Sequence, residues 1–171
     1  MILVVADTGP VHYLVLVEAI DVLPRLYDRI IIPRAVLAEL SHRNAPASVR
    51  HWATNLPSWA EVRRPSRVES TSVLGPGETE AIALCQELQP ATVLLDETEA
   101  RQEALRLGLP VSGTVGVLER AAEQDLLNLP EVLDRLRRTN FRIAPELLQQ
   151  ALSRDAERQQ RRRTRPPDRK P

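Results

Sequence analysis

The stretch ATVLLDETEARQEALRLGLPVSGTVGVLERAAEQD, residues 91–125, decides the fold. Its first part, ATVLLD, is an apolar run stopped by an acid, the pattern of a buried strand. ETEARQEALRLG then carries helical spacing and ends at Gly108, an expected C-cap. LPVSG reads as a short strand, and TVGVLERAAEQD as a helix with Thr114 as its expected N-cap. A strand, a helix, a strand and a helix in close succession predict helices packed on a parallel sheet.

The same alternation extends in both directions. Upstream, GETEAIALCQEL is a helix with Ala81, Leu84, Cys85 and Leu88 on one face. RPSRVESTSVLGPG, residues 64–77, has the composition of a loop, and WAEVRRP reads as a short edge strand. APASVRHWATNL and RAVLAELSHR are helical, the second led by Pro33 at an expected first helical position. Arg29–Ile32 is a strand, Val11–Ile20 an apolar segment, and ILVVADTGP opens with a β-branched strand that stops at Asp7. Downstream, helices are expected near 130–138 and 145–160. The expected class is α/β, a central parallel sheet flanked by helices, without internal repeats.

A chain of 171 residues with 43% hydrophobic and 27% charged residues suits one domain with a sizeable core. Cys85 stands alone, which excludes an intramolecular disulfide, and no Cys/His cluster spells zinc. The first apolar run is too short for a signal peptide and nothing reaches membrane-spanning length. A soluble, cytoplasmic protein without membrane contact is therefore expected. Net charge is zero but uneven: residues 154–171 hold eight basic residues against three acids, so this tail is +5 and residues 1–153 are −5. The body 1–153 is expected to be the folded domain and 154–171 a flexible basic tail, solvated or in contact with nucleic acid.

Two strands end alike, LVVAD at Asp7 and TVLLD at Asp96. The carboxyl ends of parallel strands share one edge of the sheet, where ligands bind. Asp7 and Asp96 meet there if their strands are neighbours. An ionised Asp at the rim of a core needs a partner, and the charges nearest Asp7 in sequence, Glu18 and Asp21, are also negative. Glu39 lies in a helix after the second strand, and Glu78 follows GPG at a helix start, where an acid meets the helix dipole. Taken singly, each acid reads as a cap, a turn former or a solvated helix residue.

As a set, the motifs DTGPVHYL, IIPRAVLAEL, GPGETEAIAL and LLDETEARQEALRLGLPVSGTVGVL resemble the PIN-domain nucleases, in the branch related to VapC-type toxins. The resemblance spans most of residues 2–127 and implies a PIN-like three-layer sandwich that cleaves RNA with a divalent metal. It matches Asp7, Glu39, Glu78 and Asp96 to an acidic catalytic quartet, with Asp7, Asp96 and Glu78 as metal ligands. Thr8 and Thr114 match hydroxyl positions beside the site, and Glu80 a supporting acid. Glu97 stands where many relatives place an Asp, one methylene longer here. Arg101 is placed either on substrate phosphate or in an ion pair with a site acid. Family partners would be an RNA substrate, a small antitoxin protein and a second copy in a homodimer. Leu133, Leu136, Ile143, Leu147 and Leu148 form a periodic apolar face, either core or contact surface.

The chemistry suits the residues. Mg²⁺ or Mn²⁺ takes oxygen ligands, keeps several waters, makes a bound water nucleophilic and neutralises phosphate charge. Four acids crowded without a cation repel and raise their own pKa values. On this reading the missing partner of Asp7 is a divalent cation. A dinucleotide-binding fold is disfavoured, since GPG precedes an acid that would repel phosphate and no GxGxxG follows a strand. A haloacid-dehalogenase-like phosphatase would need a second Asp two residues after Asp7, where Gly9 stands. The remaining alternative is a PIN-like module that binds RNA or protein without cleaving.

Overall fold

The computed structural model describes residues 2–68, 73–89 and 91–164. Part of the expected loop at 64–77, and the last residues of the basic tail, lie outside the described residues. Five strands form one sheet: β1 (Leu3–Ala6), β2 (Arg29–Pro33), β3 (Ala60–Arg63), β4 (Ala91–Leu94) and β5 (Val111–Ser112). Their order is β3-β2-β1-β4-β5 and every pairing is parallel. The short strand AEVR accordingly occupies one edge, where its half-exposed residues are tolerated.

Among the described residues nine α-helices surround the sheet: α1 (Thr8–Leu16), α2 (Leu23–Leu26), α3 (Arg34–Leu40), α4 (Ala47–Thr54), α5 (Pro76–Glu87), α6 (Thr98–Arg106), α7 (Thr114–Glu123), α8 (Leu129–Arg137) and α9 (Pro145–Thr164). Strand alternation divides the core in two. Val4, Ala6, Ile30, Ile32 and Leu94 face one layer, with α1, α3, α7 and α8. Leu3, Val5, Ile31, Ala91 and Val93 face the other, with α5 and α6. Both faces are covered, so the strands read as unbroken apolar runs instead of alternating ones. The result is the expected three-layer α/β sandwich.

Helix boundaries differ from expectation at two starts. Pro33 is the N-cap of α3 and Arg34 its first residue, because the proline still belongs to β2. Gly113 is the N-cap of α7, and the Thr114 hydroxyl is engaged elsewhere. Gly108 meets expectation: it sits just past α6 with φ +72, and its N–H and that of Leu109 bond back to Leu105 and Ala104.

The basic segment does not begin a new structure at 154. Helix α9 runs through that position from Pro145 to Thr164. Arg154 pairs with Glu119, Arg158 with Glu123 and Asp155, and Arg162 with Asp125. These arginines recur every four residues, one helix face, and take acids of α7 and its C-terminus in ascending order. Helix α9 therefore runs parallel to α7 and away from Thr114. Of the periodic apolar face, Leu133 and Leu136 are fully buried, whereas Leu147 is 56% exposed. No helix of the described residues is long and apolar enough to cross a membrane.

Candidate active site

The strand order changes direction at β1: β2 lies on one side and β4 on the other. Ligand crevices of open α/β sheets form at such a point, beyond the carboxyl ends of the strands. Asp7 follows Ala6, Asp96 follows Leu94 by two residues, and Ala6 pairs with Leu94. The Asp7 N–H donates to the Leu94 carbonyl at 3.1 Å, which ties the two strand ends together. The two strands are neighbours, and both aspartates stand at the same carboxyl edge.

Asp7 is 5% exposed, and its Oδ1 is buried without a hydrogen-bond partner. Burial pushes its carboxyl from 3.8 up to about 7, the N–H groups of Thr8 and Gly9 oppose that rise, and Glu78 and Glu39 add to it. Such a group is costly to bury alone. The Asp96 carboxyl is also raised by burial, but it is held: Oδ1 accepts from the Thr114 N–H at 2.8 Å and Oδ2 from the Thr114 hydroxyl at 2.6 Å. The positive charge of Arg101 lowers Asp96 further. Arg101 itself donates to the Leu95 carbonyl at 2.7 Å, bracing the end of β4.

Glu39 sits beside the buried Val36 and Leu40, yet it turns inward along the sheet edge. Its Oε2 accepts from the Thr8 hydroxyl and its Oε1 from the Gly77 N–H at 2.9 Å. Glu78 is raised by burial and by Glu97, Glu39 and Glu99; its Oε2 is turned back onto the Gly75 N–H at 2.9 Å. Glu80 reaches from α5 to the Ala35 N–H at 2.8 Å. That N–H is in the first turn of α3, which has no side-chain cap of its own. Glu80 thus fixes the helix that carries Glu39. Glu97 is exposed, at the N-cap of α6, and makes no capping bond.

The structure brings Asp7, Glu39, Glu78, Asp96, Thr8 and Thr114 to one edge, with Glu80 supporting from behind. Among the described residues no three His, Cys, Asp or Glu close into a cluster that could hold a metal ion. Glu39 and Glu78 are bonded instead to the N–H groups of Gly77 and Gly75 at the start of α5. Sequence reasoning missed Gly77. Its position inside GPGE was legible, but the need for glycine comes from Glu39, since a Cβ there would lie 2.7 Å and 2.9 Å from the two Glu39 oxygens and 3.0 Å from Asp7 Oδ1.

Thr114→Val removes the hydroxyl donor from Asp96 and keeps the shape. We expect Mn²⁺ affinity to fall about tenfold, in the range for partners that orient a ligand, with an unchanged fold by circular dichroism. An unchanged affinity in calorimetric titration would remove Thr114 from the site.

The solved structure of a PilT N-terminus domain protein from the hyperthermophilic archaeon Sulfolobus solfataricus P2 is similar in chain path, with a TM-score of 0.46 and 14% identity, covering 84% of this chain and 100% of that one. A search of curated proteins finds no match. The family model described as DUF3368, PIN domain, matches residues 3–157, from the first strand into α9. The chain, with its five parallel strands and its acids gathered at their carboxyl ends, belongs to this family of PIN domains.

Proposed function

We propose that this protein is a divalent-metal-dependent ribonuclease and the toxin of a toxin–antitoxin pair. The observation that supports the nuclease reading most is the buried, unpartnered Oδ1 of Asp7 beside Asp96 at the switch point of the sheet. An orphaned carboxylate oxygen suits a hard cation, and Mg²⁺ or Mn²⁺ needs few protein ligands because it keeps several waters. Asp7 and Asp96 would hold the ion. Each Asp96 oxygen accepts one bond from Thr114 and retains a free acceptor site. Glu78 joins directly or through water once it leaves the Gly75 N–H.

When bound, the cation makes a water nucleophilic and neutralises charge on the phosphate. Glu39, fixed by Thr8 and Gly77, orients the attacking water. Arg101 and Thr114 oppose the rise that burial gives the Asp96 carboxyl, and Thr114 aims it. Glu97, at the rim, acts on the site through its charge, so Glu97→Gln is expected to cost less than about threefold in kcat, and Asp96→Asn more than about a hundredfold. Equal losses would make Glu97 a ligand.

The toxin role, with a small antitoxin and a homodimer, rests on the resemblance of the motifs. Growth arrest on expression, relieved by a small protein encoded beside this chain, tests it. The nuclease reading is tested by calorimetric titration of Mn²⁺ into the wild type and the Asp7→Asn/Asp96→Asn double variant, with RNA cleavage followed on the same samples. Binding and cleavage by the wild type alone support it. Metal binding without cleavage of any RNA in a broad panel favours the non-catalytic binding module, and absence of metal binding overturns the mechanism.

A further inference from the structure

A hollow of about 650 Å³ opens beside the acids, lined by His12, Ala38, Glu39, His42, Ala45 and Pro76 among its residues. Its walls are mostly apolar, and Glu39 forms its boundary with the catalytic centre. A polyanion bound across Asp7 and Asp96 must continue over one flank of the centre, and this flank is apolar.

The lining includes two imidazoles, His12 and His42. His12, on α1 one turn after Thr8, is partly buried, which lowers its pKa and favours the uncharged ring. Its edge-to-face partner is Tyr13, with centroids 4.8 Å apart, and Tyr13 in turn packs on Phe141 at 4.8 Å. Burial raises the Tyr13 phenol, and the charges of Asp96 and Glu97 add to the rise. The chain has one Phe, two Tyr and two Trp, and the Phe and one Tyr join His12 in this aromatic row. His42 Nδ1 accepts from the Asn44 N–H at 3.2 Å, which leaves Nε2 as the N–H donor toward a ring acceptor.

We propose that the hollow is a nucleobase subsite, in which His12 stacks on, and His42 donates to, an unpaired base adjoining the scissile phosphate. The proposal rests on the ribonuclease reading and names its specificity-determining residues. Bases bind proteins through ring stacking and edge hydrogen bonds, a combination an apolar pocket with two imidazoles supplies. A protein partner would use the apolar walls and ignore the imidazole edges.

The test uses the full chain with Mn²⁺ and an RNA octanucleotide that the protein cleaves at one bond, with an abasic ribose moved along it. At one position adjoining the cut, loss of the base is expected to raise the wild-type KM about tenfold, the scale of one base–ring contact, with kcat changed less than threefold. In His12→Ala the same base loss costs less than about twofold, and His12→Phe, which keeps a stacking face, restores most of the tenfold effect. A flat abasic scan, or equal base effects in wild type and His12→Ala, overturns the subsite while cleavage itself upholds the nuclease. Failure to cleave any RNA with Mn²⁺ bound overturns both. In parallel, anilinonaphthalene sulfonate bound in the hollow, judged by its loss in Ala38→Arg, should be displaced by the octanucleotide. Dye that stays bound under saturating RNA overturns the subsite and assigns the hollow to a protein partner.

Discussion

Asp7→Asn is expected to raise the melting temperature at pH 8 by roughly 8–16 °C and to abolish Mn²⁺ binding and RNA cleavage together. The folded chain holds the Asp7 proton up to about pH 7, whereas an ordinary carboxyl releases it near 3.8. Between those values the native state binds more protons than the unfolded state. Stability therefore falls as pH rises from about 4 to about 7, and the loss is complete above. The shift corresponds to an order of ~4 kcal/mol. Asparagine carries no charge to desolvate and removes the penalty, so its advantage should be present at pH 8 and vanish at pH 4. An equal gain at both pH values would trace the effect to packing instead. Metal should restore to the wild type what the variant gains, because a cation offsets the buried Asp7 charge and repartners Oδ1. The wild-type melting temperature should rise with Mn²⁺ at pH 8, and that of Asp7→Asn should not.

Gly77→Ala separates site from scaffold in the opposite sense. The added methyl would lie within 2.9 Å of both Glu39 oxygens and 3.0 Å from Asp7 Oδ1, so Glu39 must swing away from Thr8 and the Gly77 N–H. Crowding of that kind costs about 1–3 kcal/mol. Alanine in a helix returns up to ~1 kcal/mol relative to glycine. The net change in stability should be small, within about 2 kcal/mol, while kcat falls at least about a hundredfold, the scale of a misplaced catalytic group. Near-normal turnover in Gly77→Ala would show that Glu39 acts at some other position than the one it holds.

Both predictions come from residues whose roles were unequally visible in the sequence. Asp7 and Asp96 were legible because a strand is a local pattern: an apolar run stopped by an acid places that acid at a carboxyl edge whatever surrounds it. The parallel sheet followed from alternation, and its doubly buried strands from unbroken apolar runs such as Ile30–Ile32. Thr114 was legible only as a helix start. Its hydroxyl turned to Asp96 because the strand β4 brings that carboxylate 18 residues back in sequence into reach. Composition shows residues 154–171 as basic, and only the fold shows arginines at four-residue spacing meeting acids 35 and 37 residues away on and beyond α7.

The amino-acid sequence by itself determined the layers, the parallel order of strand and helix, and the edge at which two aspartates stand. Periodicity and the buried-strand pattern act over a few residues and need no partner to be recognised. The tertiary structure alone decided which acids keep a free oxygen. Glu39 lies 38 residues from Gly77, and Glu80 lies 45 from Ala35. Hydrogen bonds across such separations depend on how α3 packs against α5, and no local pattern encodes them. That packing occupies Glu39 and leaves Asp7 Oδ1 bare.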